Sequence, residues 1–237
     1  MSKRPKARPT VTIAYVHDTD VAHSWHRSML ETILSDLSTT GYLAGGFIAI
    51  RYSTGGIIKA RNEAAAMFLQ GGADWLLWVD TDMGFAPDTL SRLMEAADPV
   101  TRPIVGALCF SSKEIRSDGL HGYWTQPIPT VLDWVELPDG VQGFQARFNY
   151  EPDTVIQCSG TGSACILIHR SVFEKLGPDP YNPLRNPTTG ELIGEDLSFC
   201  ARAAEHDIPV HVHTGVPTSH LKPQWVTEAH YAMWPKS

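Results

Sequence analysis

Long apolar runs are the first thing this 237-residue chain lacks. None approaches the roughly 20 residues that a membrane helix needs, so no transmembrane segment is expected. Residues 1–9 carry Lys3, Arg4, Lys6 and Arg8 but not the apolar stretch of a secretory signal, and they read as a disordered basic tail. Positive charge is also in short supply. Nineteen Lys and Arg stand against 26 Asp and Glu, a formal net charge of −7, which argues against a nucleic-acid partner. The four cysteines, Cys109, Cys158, Cys165 and Cys200, form no CxxC pair, and each lies in an apolar stretch. They read as reduced core residues of a cytoplasmic protein, not as a disulfide framework or a zinc site. The small-residue loop Ser159-Gly160-Thr161-Gly162-Ser163 lacks the Gly-Lys-Ser/Thr ending of a P-loop. A dinucleotide fingerprint, a serine nucleophile elbow and an internal repeat are absent as well.

What is present is a globular composition, 43% hydrophobic and 19% charged, with length enough for a packed core. Apolar runs at 11–16, 47–52, 75–80 and 104–110 read as strands, and helical spacing over 22–37, 57–69 and about 87–97 separates them. Strand alternating with helix predicts an α/β fold, a mostly parallel sheet with helices on both faces. The pattern breaks over 112–157, where Pro127, Pro129, Pro138 and Pro152 interrupt short β-like runs, and this stretch reads as a β-rich insertion. Alternation resumes with a strand at 164–169, a short helix at 171–176, a helix at 195–205 and a strand at 209–213. Residues 10–237 are read as one domain, with 225–234 a terminal helix or ordered tail.

The chemistry gathers where the strands end, since ligands of open α/β sheets bind outside the carboxyl ends. Trp75-Leu76-Leu77-Trp78-Val79-Asp80-Thr81-Asp82 is a buried strand that leaves the core in two carboxylates, oxygen donors suited to Mg2+ or Mn2+ and so to a diphosphate. A polar turn is the plain alternative. Gly194-Glu195-Asp196 opens a helix, so its carboxylates offset the helix dipole, or Asp196 serves as a general base. His220, after the last strand, is a candidate third metal ligand, although a lone histidine is more often structural. Lys222 suits a phosphate or solvent, and Arg61 suits a phosphate, a base carbonyl or a surface salt bridge. Tyr123, Trp124 and Trp134 in the insertion read as core, or as a wall on which a sugar stacks. An Asp-x-Asp after a strand is also the nucleophile motif of haloacid-dehalogenase-type phosphatases. Those carry it on the first strand with Thr or Val in the fourth position, where this chain has Met83 on the third.

Taken in order, His17-Asp18, Ala60-Arg61-Asn62, Leu76 to Met83, Gly160-Thr161-Gly162 with Ile168-His169-Arg170, Gly194-Glu195-Asp196 with Phe199-Cys200, and His220 resemble the GT-A-fold glycosyltransferases of the family 2-like group. The resemblance covers roughly 11–222, and the later half is similar to small transferases encoded by actinobacteria and their phages. It implies a GT-A, Rossmann-like fold and a metal-dependent transfer of sugar from a nucleoside-diphosphate donor, UDP first among the nucleotides, with inversion. A retaining transferase of the same fold and a non-catalytic nucleotide-sugar-binding module are the alternatives. By the resemblance, Mn2+ or Mg2+ sits on Asp82 and His220, with Asp80 touching the ribose or the metal through water. Asp18, Arg61, Asp80 and Lys222 meet the nucleotide, while Gly160, Thr161 and Gly162 floor the sugar pocket. Asp196 is the base, and Glu195 binds acceptor or sugar hydroxyls. The insertion departs from a standard member, which leaves protein, glycan and lipid acceptors all open.

Overall fold

The structure is a computed structural model that describes residues 8–52, 55–116, 123–138 and 140–223. The basic tail expected before residue 8 and the terminal helix expected at 225–234 lie outside those residues. So do the side chains of Tyr123 and Trp124.

In chain order the elements are β1 (Val11–His17), α1 (His23–Ser38), β2 (Phe47–Arg51), α2 (Gly56–Gln70), β3 (Trp75–Val79), β4 (Met83–Gly84) and α3 (Thr89–Ala96). Then come β5 (Ile104–Leu108), β6 (Phe110–Arg116), β7 (Tyr123–Pro129), β8 (Leu132–Glu136), β9 (Gln142–Ala146), β10 (Val155–Cys158) and β11 (Cys165–His169). The chain continues through α4 (Arg170–Leu176), α5 (Glu195–Glu205), β12 (Val210–Pro217) and β13 (Ser219–His220).

Seven strands form the central sheet in the order β10-β12-β5-β11-β3-β1-β2. Five run parallel to one another, whereas β11 is antiparallel to both β3 and β5, and β10 is antiparallel to β12. The mostly parallel α/β sheet is therefore as the alternation predicts. The expected insertion is two hairpins, β6–β7 and β8–β9, and its last residues become the edge strand β10 of the main sheet.

Both faces of the sheet are covered, which is why β3 is apolar at every position. Trp75, Leu77 and Val79 point to one side, with Val105, Leu167 and the helix residues Trp25, Met29, Leu90 and Leu93. Leu76 and Trp78 point to the other, with Ile104, Ile166 and Val212 against Ala60, Ala64, Phe68, Phe173 and Phe199. The alanines of α2 let that helix lie close to the sheet. All four cysteines are free and buried, as their apolar surroundings predict. Among the described residues no helix is long and apolar enough to cross a membrane.

Candidate functional site

The site forms where β3 ends. Side chains alternate along a strand, so Asp80 continues the side of Leu76 and Trp78 and meets α2. There the Arg61 guanidinium is 1% exposed and donates from Nη2 to both Asp80 oxygens, at 2.9 and 3.1 Å. It lies over the rings of Trp78 and Tyr181, 5.0 and 5.9 Å from their centroids. Its Nε is 3.9 Å from a carboxylate oxygen of Glu195 and 3.9 Å from one of Asp196. One buried cation thus serves three carboxylates. Burial alone would lower the Arg61 pKa, but Asp80, Asp196 and Glu195 outweigh it and hold the guanidinium charged. Burial raises the Asp80 carboxyl above its ordinary range, with Arg61 opposing. Burial and then the neighbouring Asp196 charge raise Glu195.

Asp82 faces a different set of groups. After a turn closed by Met83 N–H donating to the Asp80 carbonyl (3.1 Å), β4 pairs with β13 and brings His220 opposite Met83. The Leu221 N–H donates to the Asp82 carbonyl at 2.8 Å and locks the register. Gly84 suits this close pairing, because a Cβ on it would crowd the Ser219 hydroxyl and stand 3.3 Å from Ser24 Cβ. His220 Nε2 then sits 3.0 Å from Asp82 Oδ2, and Lys222 Nζ sits 3.2 Å from the same oxygen. Burial would raise the Asp82 pKa, but the His220 contact, followed by Lys222, brings it below the ordinary value, so the carboxylate is ionised.

His220 Nδ1 lies 2.9 Å from the Phe110 carbonyl. A carbonyl only accepts, so Nδ1 carries a proton and donates. Nε2 faces a carboxylate, which also only accepts. Either a second proton or an outside cation must therefore lie between Nε2 and Asp82. A histidine that donates its far nitrogen to a carbonyl is held as metal-ligating histidines usually are, and the same setting serves a plain ion pair with Asp82. Adjacent ligands of an octahedral Mg2+-sized ion stand ~3 Å apart, close to the 3.0 Å between these two atoms. The residues present fit a divalent cation held by Asp82 and His220. Asp80 is committed to Arg61, and among the described residues no group of three His, Cys, Asp or Glu side chains converges on a metal.

The remaining predicted residues divide. Asp18 stands at the end of β1, on the same edge as Asp82 by the β1–β3 register, exposed and 3.6 Å from Arg51 Nη2. Gly162 borders Asp196, since a Cβ on it would lie 3.7 Å from Asp196 Oδ2. Gly160 is instead closed in by Phe144 and Leu197, and the Thr161 side chain is buried against Gly106 and Thr130. Of the expected sugar-pocket floor, only Gly162 therefore meets the carboxylates. Trp134 packs edge-on against Phe144 between β8 and β9, a hairpin contact.

Two parts of the site escape a sequence reading. Tyr181 comes from the proline-rich loop before α5. It is placed by Asn62, whose side-chain oxygen accepts from the Tyr181 N–H at 2.9 Å while its amide donates to Asn182 at 2.9 Å. The adjacency Arg61-Asn62 is the one visible hint. The Phe110 carbonyl, being backbone, leaves no trace in the sequence.

No protein-family model matches the chain, and no curated protein matches it. Solved structures do. The chain superposes on GalNAc-T7, crystallised with UDP, GalNAc and Mn2+, with a TM-score of 0.58 at 12% identity, over 93% of this chain and 45% of that one. It thus spans under half the length of that protein. A glycosyltransferase involved in glycosylating the major capsid of PBCV-1 matches at TM-score 0.34 and 14% identity, over 70% of this chain and 63% of that one. The A197 protein from STIV matches at 0.49 and 15%, over 90% and 86%. The likeness to GalNAc-T7 is one of fold, and it places this α/β sheet in the GT-A class.

Proposed function

We propose that this chain is a divalent-cation-dependent glycosyltransferase that moves a sugar from a nucleoside-diphosphate donor, UDP the expected nucleotide, to an acceptor hydroxyl with inversion. The observation that carries this reading is the pairing of His220 Nε2 with Asp82 Oδ2 while Nδ1 is spent on the Phe110 carbonyl. That pairing calls for a positive charge between the two groups, a proton or a bound cation, at the end of the third strand and beside a base candidate. The fold neighbour solved with UDP, GalNAc and Mn2+ supports the same choice of donor and metal.

In this reading Asp82 and His220 hold Mn2+ or Mg2+, which when bound offsets the charge that builds on the leaving diphosphate. Lys222, 3.2 Å from Asp82, adds a second positive charge at the same place. Asp80, aimed by Arg61, reaches the ribose or the cation's water. Asp18, exposed on the same edge, meets the nucleotide. Gly162 lets the sugar approach Asp196, which takes the acceptor proton, and Glu195 orients a hydroxyl. Asp196 Oδ1 is buried toward Arg61, so Oδ2, on the Gly162 side, is the oxygen that would meet a substrate hydroxyl. The acceptor, whether protein, glycan or lipid, is left unassigned.

The test is a panel of nucleotide sugars incubated with Mn2+ and read by release of free nucleoside diphosphate. Release from at least one donor is expected, together with a rise in melting temperature on adding UDP and Mn2+. If no nucleoside diphosphate with metal shifts the melt and no donor is turned over, the proposal fails.

A further inference from the structure

The resemblance assigns Arg61 to the nucleotide, but its surroundings leave no path to one. The side chain is 1% exposed, roofed by Trp78 and Tyr181, and turned beneath the cleft. What it does reach is the end of β3 on one side and the start of α5 on the other. We propose that Arg61 is a positioning residue that fixes the helix-borne base Asp196, with Glu195, relative to the Asp80-Thr81-Asp82 turn. This rests on the glycosyltransferase reading above.

The geometry carries it. Nη2 is used up on Asp80, at 2.9 and 3.1 Å. Nε and Nη1 are buried without a hydrogen-bond acceptor, and so is Asp196 Oδ1 without a donor. The gap of 3.9 Å from Nε to the Glu195 and Asp196 oxygens is too long for a hydrogen bond but within ion-pair range. Unspent donors and an unspent acceptor face each other across that gap. A guanidinium is a planar fork with five N–H groups, so it can bridge two elements where a lysine has a single point charge. No other cation among the described residues forms an ion pair with Glu195 or Asp196. The groups that face Arg61 are Asp80 from β3, Glu195 and Asp196 from α5, and Tyr181 from the loop before α5. Asp82 interacts with the same cluster through Asp80.

The experiment compares wild type with Arg61→Lys, which keeps the charge and loses the fork. With the donor that the panel identifies, kcat should fall by roughly 100-fold, the span of a misplaced general base, while KM for the donor changes by less than about threefold. Arg61→Ala, which loses the charge as well, should lose more kcat than Arg61→Lys, and guanidinium added to the buffer should recover part of that loss. A role in nucleotide binding would instead raise KM at unchanged kcat, and a merely structural role would give no recovery with guanidinium. Either outcome overturns the proposal.

A second measurement needs no turnover. The Arg61 Nε–H resonance, followed by NMR, should move in Asp196→Asn and in Glu195→Gln, because each removes a charge 3.9 Å from that nitrogen. An Arg61 signal unchanged in both variants overturns the proposal. A shifted signal in a protein that releases no nucleoside diphosphate would sink the transferase reading and leave the Arg61 assignment standing.

Discussion

His220 has two ring nitrogens aimed at two acceptors, so its neighbours decide its proton count. Replacing Asp82 with Ala removes one acceptor and, with it, the proposed cation site. The expected result is loss of the Mn2+-dependent rise in melting temperature with UDP, read by thermal shift. Asp196→Asn keeps shape and hydrogen bonding but removes the base, and turnover of the donor should drop by about 10²- to 10⁴-fold. Glu195 gives a stability test. Burial, then Asp196, raises its folded pKa above the ordinary 4.5, so ionising it opposes folding. That penalty is absent below the unfolded pKa and grows as pH rises through the folded one. Glu195→Gln should therefore melt higher than wild type near pH 7 and match it near pH 3, in a pH series of thermal melts. A gain in stability together with a loss of activity would mark Glu195 as a residue kept for function. At this scale the sequence was legible where chemistry is local: Asp82, Asp196 and His220 could each be picked out. Arg61 could be picked out too, but not its depth, because burial depends on Trp78 and Tyr181 closing over it from elements far apart in the chain.

Among the elements, the two-residue ladder between β4 and β13 decides whether His220 reaches Asp82. Adding a methyl at Gly84 drives into Ser219 Oγ. Gly84→Ala should weaken Mn2+ binding by roughly 10-fold, the usual size of an effect on a ligand's support, and Ser219→Ala in the same chain should restore it. Calorimetric titration of Mn2+ into both variants checks this. A pattern reading finds β3, β11 and α5 readily, since their apolar runs and the acidic helix start are strong signals. It does not give the direction of a strand. The run Cys165-Ile166-Leu167-Ile168 looks the same whichever way it lies, and it is antiparallel here because it returns from the hairpins and wedges between β5 and β3. The β6–β7 hairpin is hidden for another reason. Pro127 and Pro129 read as breaks, yet both sit within β7, a strand in a two-stranded sheet whose outer edge needs no N–H.

Across the molecule, apolar packing on both faces concentrates stability at β3, β11 and β5. Hydrogen exchange read by mass spectrometry should find their amides the slowest, and those of β6–β7 and β8–β9 markedly faster, because each hairpin is its own two-stranded sheet. Under the proposed function that contrast would give a rigid edge for the donor and looser hairpins beside it. The fold class was legible from alternation alone. The closing of the site was not, because it joins residues at 61, 80, 82, 196 and 220, whose proximity depends on the sheet order.

The Asp82–His220 pair also has a consequence in time. The two residues are 138 positions apart. At a ribosomal pace of ~5–20 residues per second, the imidazole is synthesised on the order of ten seconds after the carboxylate. Throughout that interval Asp82 lacks His220, so the pair on which the proposed cation depends forms only after every strand of the central sheet has been synthesised.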